Sequence, residues 1–141
     1  IFLVIEFLIS FAPWICLFQI QEKVLGTDHP AVMGTLESLA HACSLSGHED
    51  HALKYYNEGL ERLYEQDEDN REHQASIMFK MSRIHGSLQD IEAQLEKLIL
   101  ASKILRGVDE LSAKGAELSN QVNAEMAEVR RVAQRRGVNL G

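Results

Sequence analysis

Basic residues are in short supply in this chain: Lys and Arg together number 14 against 21 Asp and Glu, a formal net charge of −7. Gripping a nucleic-acid backbone takes a concentrated basic face, so the charge balance argues against that class of partner. The basic cluster Arg130, Arg131, Arg135 and Arg136 reads as cations at the C-terminal end of a helix. Cysteine is scarcer still. Cys16 and Cys43 sit in apolar surroundings without C-x-x-C spacing, which leaves no disulfide framework and no structural zinc site. No Asn-x-Ser/Thr acceptor speaks for secretion, and a reducing, cytoplasmic setting is the expectation. Neither GxxxxGK[ST] nor GxGxxG occurs, so nucleotide binding has no motif behind it. Pro13 and Pro30 are the only prolines, and no segment alternates with period two, so strands are not expected. What remains, 45% apolar and 25% charged over 141 residues, suits one globular domain.

The first twenty residues, IFLVIEFLISFAPWICLFQI, are long and apolar enough to cross a bilayer. Against a clean signal or anchor stand the missing Lys or Arg ahead of the run, the missing small-x-small cleavage site, and Glu6 and Pro13 within it. Three readings follow for residues 1–20: a membrane anchor, a buried helix of a larger protein, or a stretch translated from non-coding sequence.

Beyond them the pattern is helical. Asp28 is placed to cap a helix that opens with Pro30, where a missing N–H costs nothing. Val32, Leu36, Leu39, Ala40 and Cys43 form one stripe of it, and Gly47 ends it. A second helix carries Ala52, Tyr55, Tyr56, Leu60 and Leu63 on one face. The acidic stretch Glu65–Glu72 reads as a solvated connection. A third helix carries Ala75, Met78, Met81, Ser82 and His85 and stops near Gly86; a fourth starts around Leu88 with Ile91, Leu95, Leu98, Ile99 and Leu100. From Ile104 through Val108, Leu111, Leu118, Val122 and Val129 to Val132 the steps alternate between three and four. That is a heptad-like seam, blemished by Gly115 and Glu125, and predicts a long helix over 106–136 with a tail at 137–141.

Paired helices of this kind cannot bury their own apolar faces, which makes internal repetition the next test. In a 34-residue unit counted from Met33, Leu36, Leu39, Ala40, Cys43, Gly47, Ala52, Tyr56 and Gly59 fall at the positions that define a tetratricopeptide repeat. The connector Glu22-Lys23-Val24-Leu25-Gly26 with Asp28-His29-Pro30, then Val32, Thr35, Leu36, Leu39 and Ala40, resembles the repeats of kinesin light chain. The likeness covers residues 18–65 well and 71–105 loosely, on a 42-residue step. It implies an all-α, right-handed superhelical array of about two repeats over 21–105, with the C-terminal helix as its cap. It also implies a protein or peptide partner held in the concave groove, and an adaptor or scaffold without catalysis, cofactor or metal. In the family an Asn pair in that groove binds peptide backbone; here Glu37 and Ser38 stand in its place, which favours basic or polar ligands. In the repeat register the groove positions are Glu37, His41 and Ser44 in the first unit and Phe79 and Arg83 in the second.

Other readings of the residues stay open beside this one. Asp28 and His29 read as helix punctuation, since no nucleophile accompanies them. His48 and His51 in GHEDH read as a solvated helix start, their spacing differing from that of HExxH. Rival functions are a membrane-tethered assembly factor anchored by residues 1–20, a regulatory repeat region of a larger enzyme, and a coiled-coil oligomer that self-associates through 104–132.

Overall fold

The computed structural model describes residues 1–66 and 69–140; within the acidic connection Asp67 and Glu68 lie outside the described residues, as does Gly141 of the tail. Among the described residues there are six α-helices and no strand. The chain divides into two compact units, Ile1–Asp67 and Glu68–Gly141.

The first unit holds α1 (Phe2–Leu25), α2 (Pro30–Leu45) and α3 (Glu49–Glu65). Pro30 opens α2 as expected, but its cap is His29, not Asp28: Ala31 N–H donates to the His29 Nδ1 at 3.1 Å. A residue ahead of proline is pushed into extended backbone, and His29 at φ −68°, ψ 135° thereby hangs its ring over the first free amides. Asp28 instead accepts from the Thr27 hydroxyl at 3.4 Å. The α2 stripe of Val32, Leu36, Leu39, Ala40 and Cys43 is completely buried, against Ala52, Tyr56, Leu60 and Leu63 of α3. Burial pushes the Cys43 thiol up to about 11.

The second unit holds α4 (Arg71–Ser87), α5 (Ile91–Arg106) and α6 (Ala113–Arg135). Ile77, Met81, Leu98, Ala101, Leu105 and Val122 form its centre. Its polar core residue Ser82 donates to the Phe79 carbonyl at 2.6 Å, so no buried hydroxyl is left idle there. The helix read over 106–136 is shorter than expected. The chain leaves α5 at Gly107 and restarts at Ser112, whose hydroxyl accepts from Gly115 N–H at 3.0 Å as an N-cap. Two side chains at the start of α4 hold this connection: Arg71 Nη1 donates to the Gly107 carbonyl at 2.7 Å, and Glu72 accepts from the Ser112 N–H at 2.8 Å. Ile104 consequently belongs to α5, and Val108 and Leu111 to the connection, while Val122, Met126, Val129 and Ala133 are buried within the unit.

The hairpins α2–α3 and α4–α5 turn in the same way. In the first, His48 N–H donates to the Cys43 carbonyl at 2.8 Å and Gly47 N–H to Ser44 at 3.3 Å, with Gly47 at φ +79°. In the second, Asp90 N–H donates to His85 at 2.9 Å and Gln89 N–H to Gly86 at 3.1 Å, with Gln89 at φ +60°. Both are Schellman endings, and each group sits 42 residues from its counterpart. The second hairpin also explains its irregular small residue. Gln94 occupies the place of Ala52, and Gly86 on the facing helix makes room: a Cβ there would come within 2.7 Å of the Gln94 amide.

Candidate functional site

On α2 the residues between the buried positions form a polar ridge. Glu37, His41 and Ser44 follow one another at four- and three-residue steps, one line along a helix surface. His41 is exposed, and Glu37 and Ser44 are half-buried. Beside them Gly34 has no atom of the protein within 4 Å of where a Cβ would stand, and the Ser38 hydroxyl turns back to the Gly34 carbonyl at 2.8 Å. Glu37 lies close enough to α3 to be felt there: burial first, then the Glu37 charge, pushes the Tyr56 hydroxyl up to about 12. The ridge thus carries an exposed imidazole and, half-buried at its centre, a carboxylate that is felt on α3.

The corresponding pair in the second unit behaves differently. Phe79 is buried, only 9% exposed, so it packs instead of presenting its ring. Arg83 covers it, its guanidinium 5.6 Å from the ring centroid, and stands 4.0 Å from Glu125 of α6. Glu125 thus stands within ion-pair reach of Arg83 through Oε1, while its Oε2 is buried without a hydrogen-bond partner among the described residues. Arg83 itself remains exposed. The structure brings Glu37, His41 and Ser44 together in one unit and Phe79 with Arg83 in the other.

No protein-family model and no curated protein matches the chain. Among the described residues no three His, Cys, Asp or Glu side chains are grouped to hold a metal ion.

The second feature, unexpected from the sequence, is the way α1 is attached. His48 and His51 are half-buried, not solvated: His51 stacks on Phe7 at 3.8 Å, and His48 meets Phe7 and Phe11 edge-on at 5.2 and 5.7 Å. Further along, the Arg62 guanidinium lies 5.1 Å from the Phe18 ring centroid and pairs with both Glu22 and Glu58. The Thr35 hydroxyl donates to Gln21 Oε1 at 2.6 Å. One side of α1, marked by Phe7, Phe11 and Phe18, is thereby fastened to the α2–α3 hairpin. The only signal in the sequence was the spacing of those phenylalanines at four and seven residues, which an apolar run of this density conceals.

The arginines of the C-terminal cluster lie at the end of α6, where Arg131 pairs with Glu128 at 3.1 Å and Arg136 donates to Gln89 at 3.3 Å. Cations at that end complement the helix dipole.

Proposed function

We propose that this chain is a protein-interaction module of the tetratricopeptide-like kind, an adaptor or scaffold that binds a peptide of basic or polar character along the outer ridge of α2. The observation that carries the reading is the line of Glu37, His41 and Ser44 along α2, a carboxylate, an imidazole and a hydroxyl in a row beside Gly34, where no other side chain stands within 4 Å of a Cβ position. A further feature supports it. The hairpins repeat their turn geometry at 42 residues, the step of the repeats that the connector resembles.

The test is an array of short immobilised peptides, basic, neutral and acidic, probed with the full chain, followed by titration calorimetry on those retained. Lys- or Arg-bearing peptides are expected to bind best, and Glu37→Gln to weaken them by about three- to fivefold, the size of a solvent-exposed charge pair. Retention of no peptide, or basic-peptide affinity unchanged by Glu37→Gln, would overturn the reading.

A further inference from the structure

The end of α6 builds a second wall beside α5. Gly137 N–H donates to the Gln134 carbonyl at 3.2 Å and Val138 N–H to the Ala133 carbonyl at 2.9 Å, with Gly137 at φ +68°. This is again a Schellman ending, and it reverses the chain at the one residue type that takes a left-handed φ without strain. Arg136 Nη1, donating to Gln89 Oε1 at 3.3 Å, ties the same corner to the turn ahead of α5. The course of the tail is therefore set by bonds within its own unit. Asn139 and Leu140 line, together with α5, a cleft of about 430 Å³. Its apolar lining is Leu95, Ile99 and Leu100 of α5 and Leu140 of the tail; Leu95 is buried and Ile99 is 40% exposed. Glu92 and Glu96 stand at the same cleft, one helical turn apart and both exposed. Neither carboxylate has a hydrogen bond or an ion pair among the described residues, and no basic side chain lines the cleft.

A concave apolar space with a few polar groups at one side is the usual form of a small-molecule site, and such sites run from roughly 300 to 1,000 Å³. The charge of the lining selects among ligands. Two carboxylates four residues apart on one helix face repel each other. An anion would add to that repulsion and a neutral molecule would leave it, whereas a cation relieves it. A bare metal ion has no use for a lining of leucine and isoleucine, and among the described residues no three His, Cys, Asp or Glu side chains are grouped to hold one. A cation carried on an apolar body answers both halves of the cleft. Its body is desolvated against Leu95, Ile99, Leu100 and Leu140, and its head meets Glu92 and Glu96.

We infer that the cleft between α5 and the chain's last residues binds a small amphipathic cation, an amine or guanidine on an aliphatic or aromatic body. Because the tail is held in place by backbone bonds, the site exists before the ligand arrives and little ordering is needed on binding. Both carboxylates are exposed, so each adds at most about fivefold to affinity, and the apolar lining supplies the rest. The site lies wholly within the second unit and does not rest on the peptide ridge of α2, which belongs to the first.

Backbone amide NMR on the isotope-labelled full chain checks this, with phenylbutylammonium as the probe and phenylbutanol and phenylbutanoate as neutral and anionic molecules of the same body. The ammonium is expected to shift the amides of Glu92 to Leu100 and of Asn139 and Leu140 saturably, with a Kd of about 1 mM or tighter. The alcohol should bind more weakly and the carboxylate at least about tenfold more weakly. In the double variant Glu92→Gln with Glu96→Gln, the ammonium should lose about three- to tenfold while the alcohol keeps its affinity, which shows the cleft intact. Leu140→Ser, beyond the last helix, should weaken ammonium and alcohol alike. The inference is overturned by an absence of saturable shifts at the cleft, by a carboxylate that binds as tightly as the ammonium, or by an ammonium affinity unchanged in the double variant. Shifts confined to the amides of Gly34 to Ser44 would overturn it too, and would place the cation on the ridge of α2 instead.

Discussion

Arg71 and Asp69 illustrate how much a single exposed pair is able to settle. Asp69 accepts from Arg71 Nε at 2.9 Å and from Nη2 at 2.8 Å, the two-pronged geometry that suits guanidinium and carboxylate. These side-chain bonds, with the Arg71 backbone N–H, hold the Asp69 carboxyl down at about 2, well below its ordinary value near 3.8. Because the folded value is the lower one, the pair's contribution is complete above the unfolded value and disappears as pH falls through the folded one. Carboxyl-carbon NMR is expected to place the Asp69 titration near pH 2, and Arg71→Gln to return it towards 4. An Asp69 midpoint near 4 in the wild-type protein would contradict the pairing. The same residue, Arg71, also reaches the Gly107 carbonyl, so one guanidinium serves both the start of α4 and the end of α5.

The α5–α6 connection is the place where element boundaries depart most from periodicity. Glu72 accepts from the Ser112 N–H and, at 2.5 Å, from its hydroxyl, and the carboxylate then lies over Gly115, where a Cβ would meet its oxygens at 2.7 Å. Glycine inside a helix costs about 1 kcal/mol relative to alanine, so Gly115 is a local loss accepted for this contact. In a Glu72→Ala background, Gly115→Ala is expected to stabilise α6 by about 1 kcal/mol, because propensity acts alone. With Glu72 present the gain should shrink or reverse, since the carboxylate must leave Ser112. A double-mutant cycle in urea, read by circular dichroism, checks this; additive effects would show that Glu72 and Gly115 do not share the site.

At the scale of the whole molecule, the fastening of α1 to its own hairpin is a matter of stability. Arg62 pairs with Glu22 and Glu58 and lies over the Phe18 ring, so Arg62→Ala leaves two carboxylates without their common partner and uncovers the ring. The variant is expected to lose about 1–2 kcal/mol in urea unfolding followed by circular dichroism. A midpoint unchanged by Arg62→Ala would show that these contacts do not hold α1 in place.

The sequence by itself determined the helices of the first hairpin, the buried stripes of α2 and α3, and the turn at Gly47. These are local matters: a period of 3.6 residues, a proline that can only open a helix, and a glycine where φ is positive. It also placed Glu37, His41 and Ser44 on one ridge, because residues three and four apart on a helix must share a side. Only the tertiary structure decided which side of α1 is covered. An apolar run reads the same on every face, and the choice was made by His48, His51 and Arg62, some forty residues downstream of the phenylalanines they hold. The break between α5 and α6 was hidden for the same reason, its cause being Arg71 and Glu72, about 36 to 40 residues upstream. Phe79 lies in the interior with the Arg83 guanidinium against its ring one turn on along α4, a burial that the groove register of the repeat did not announce.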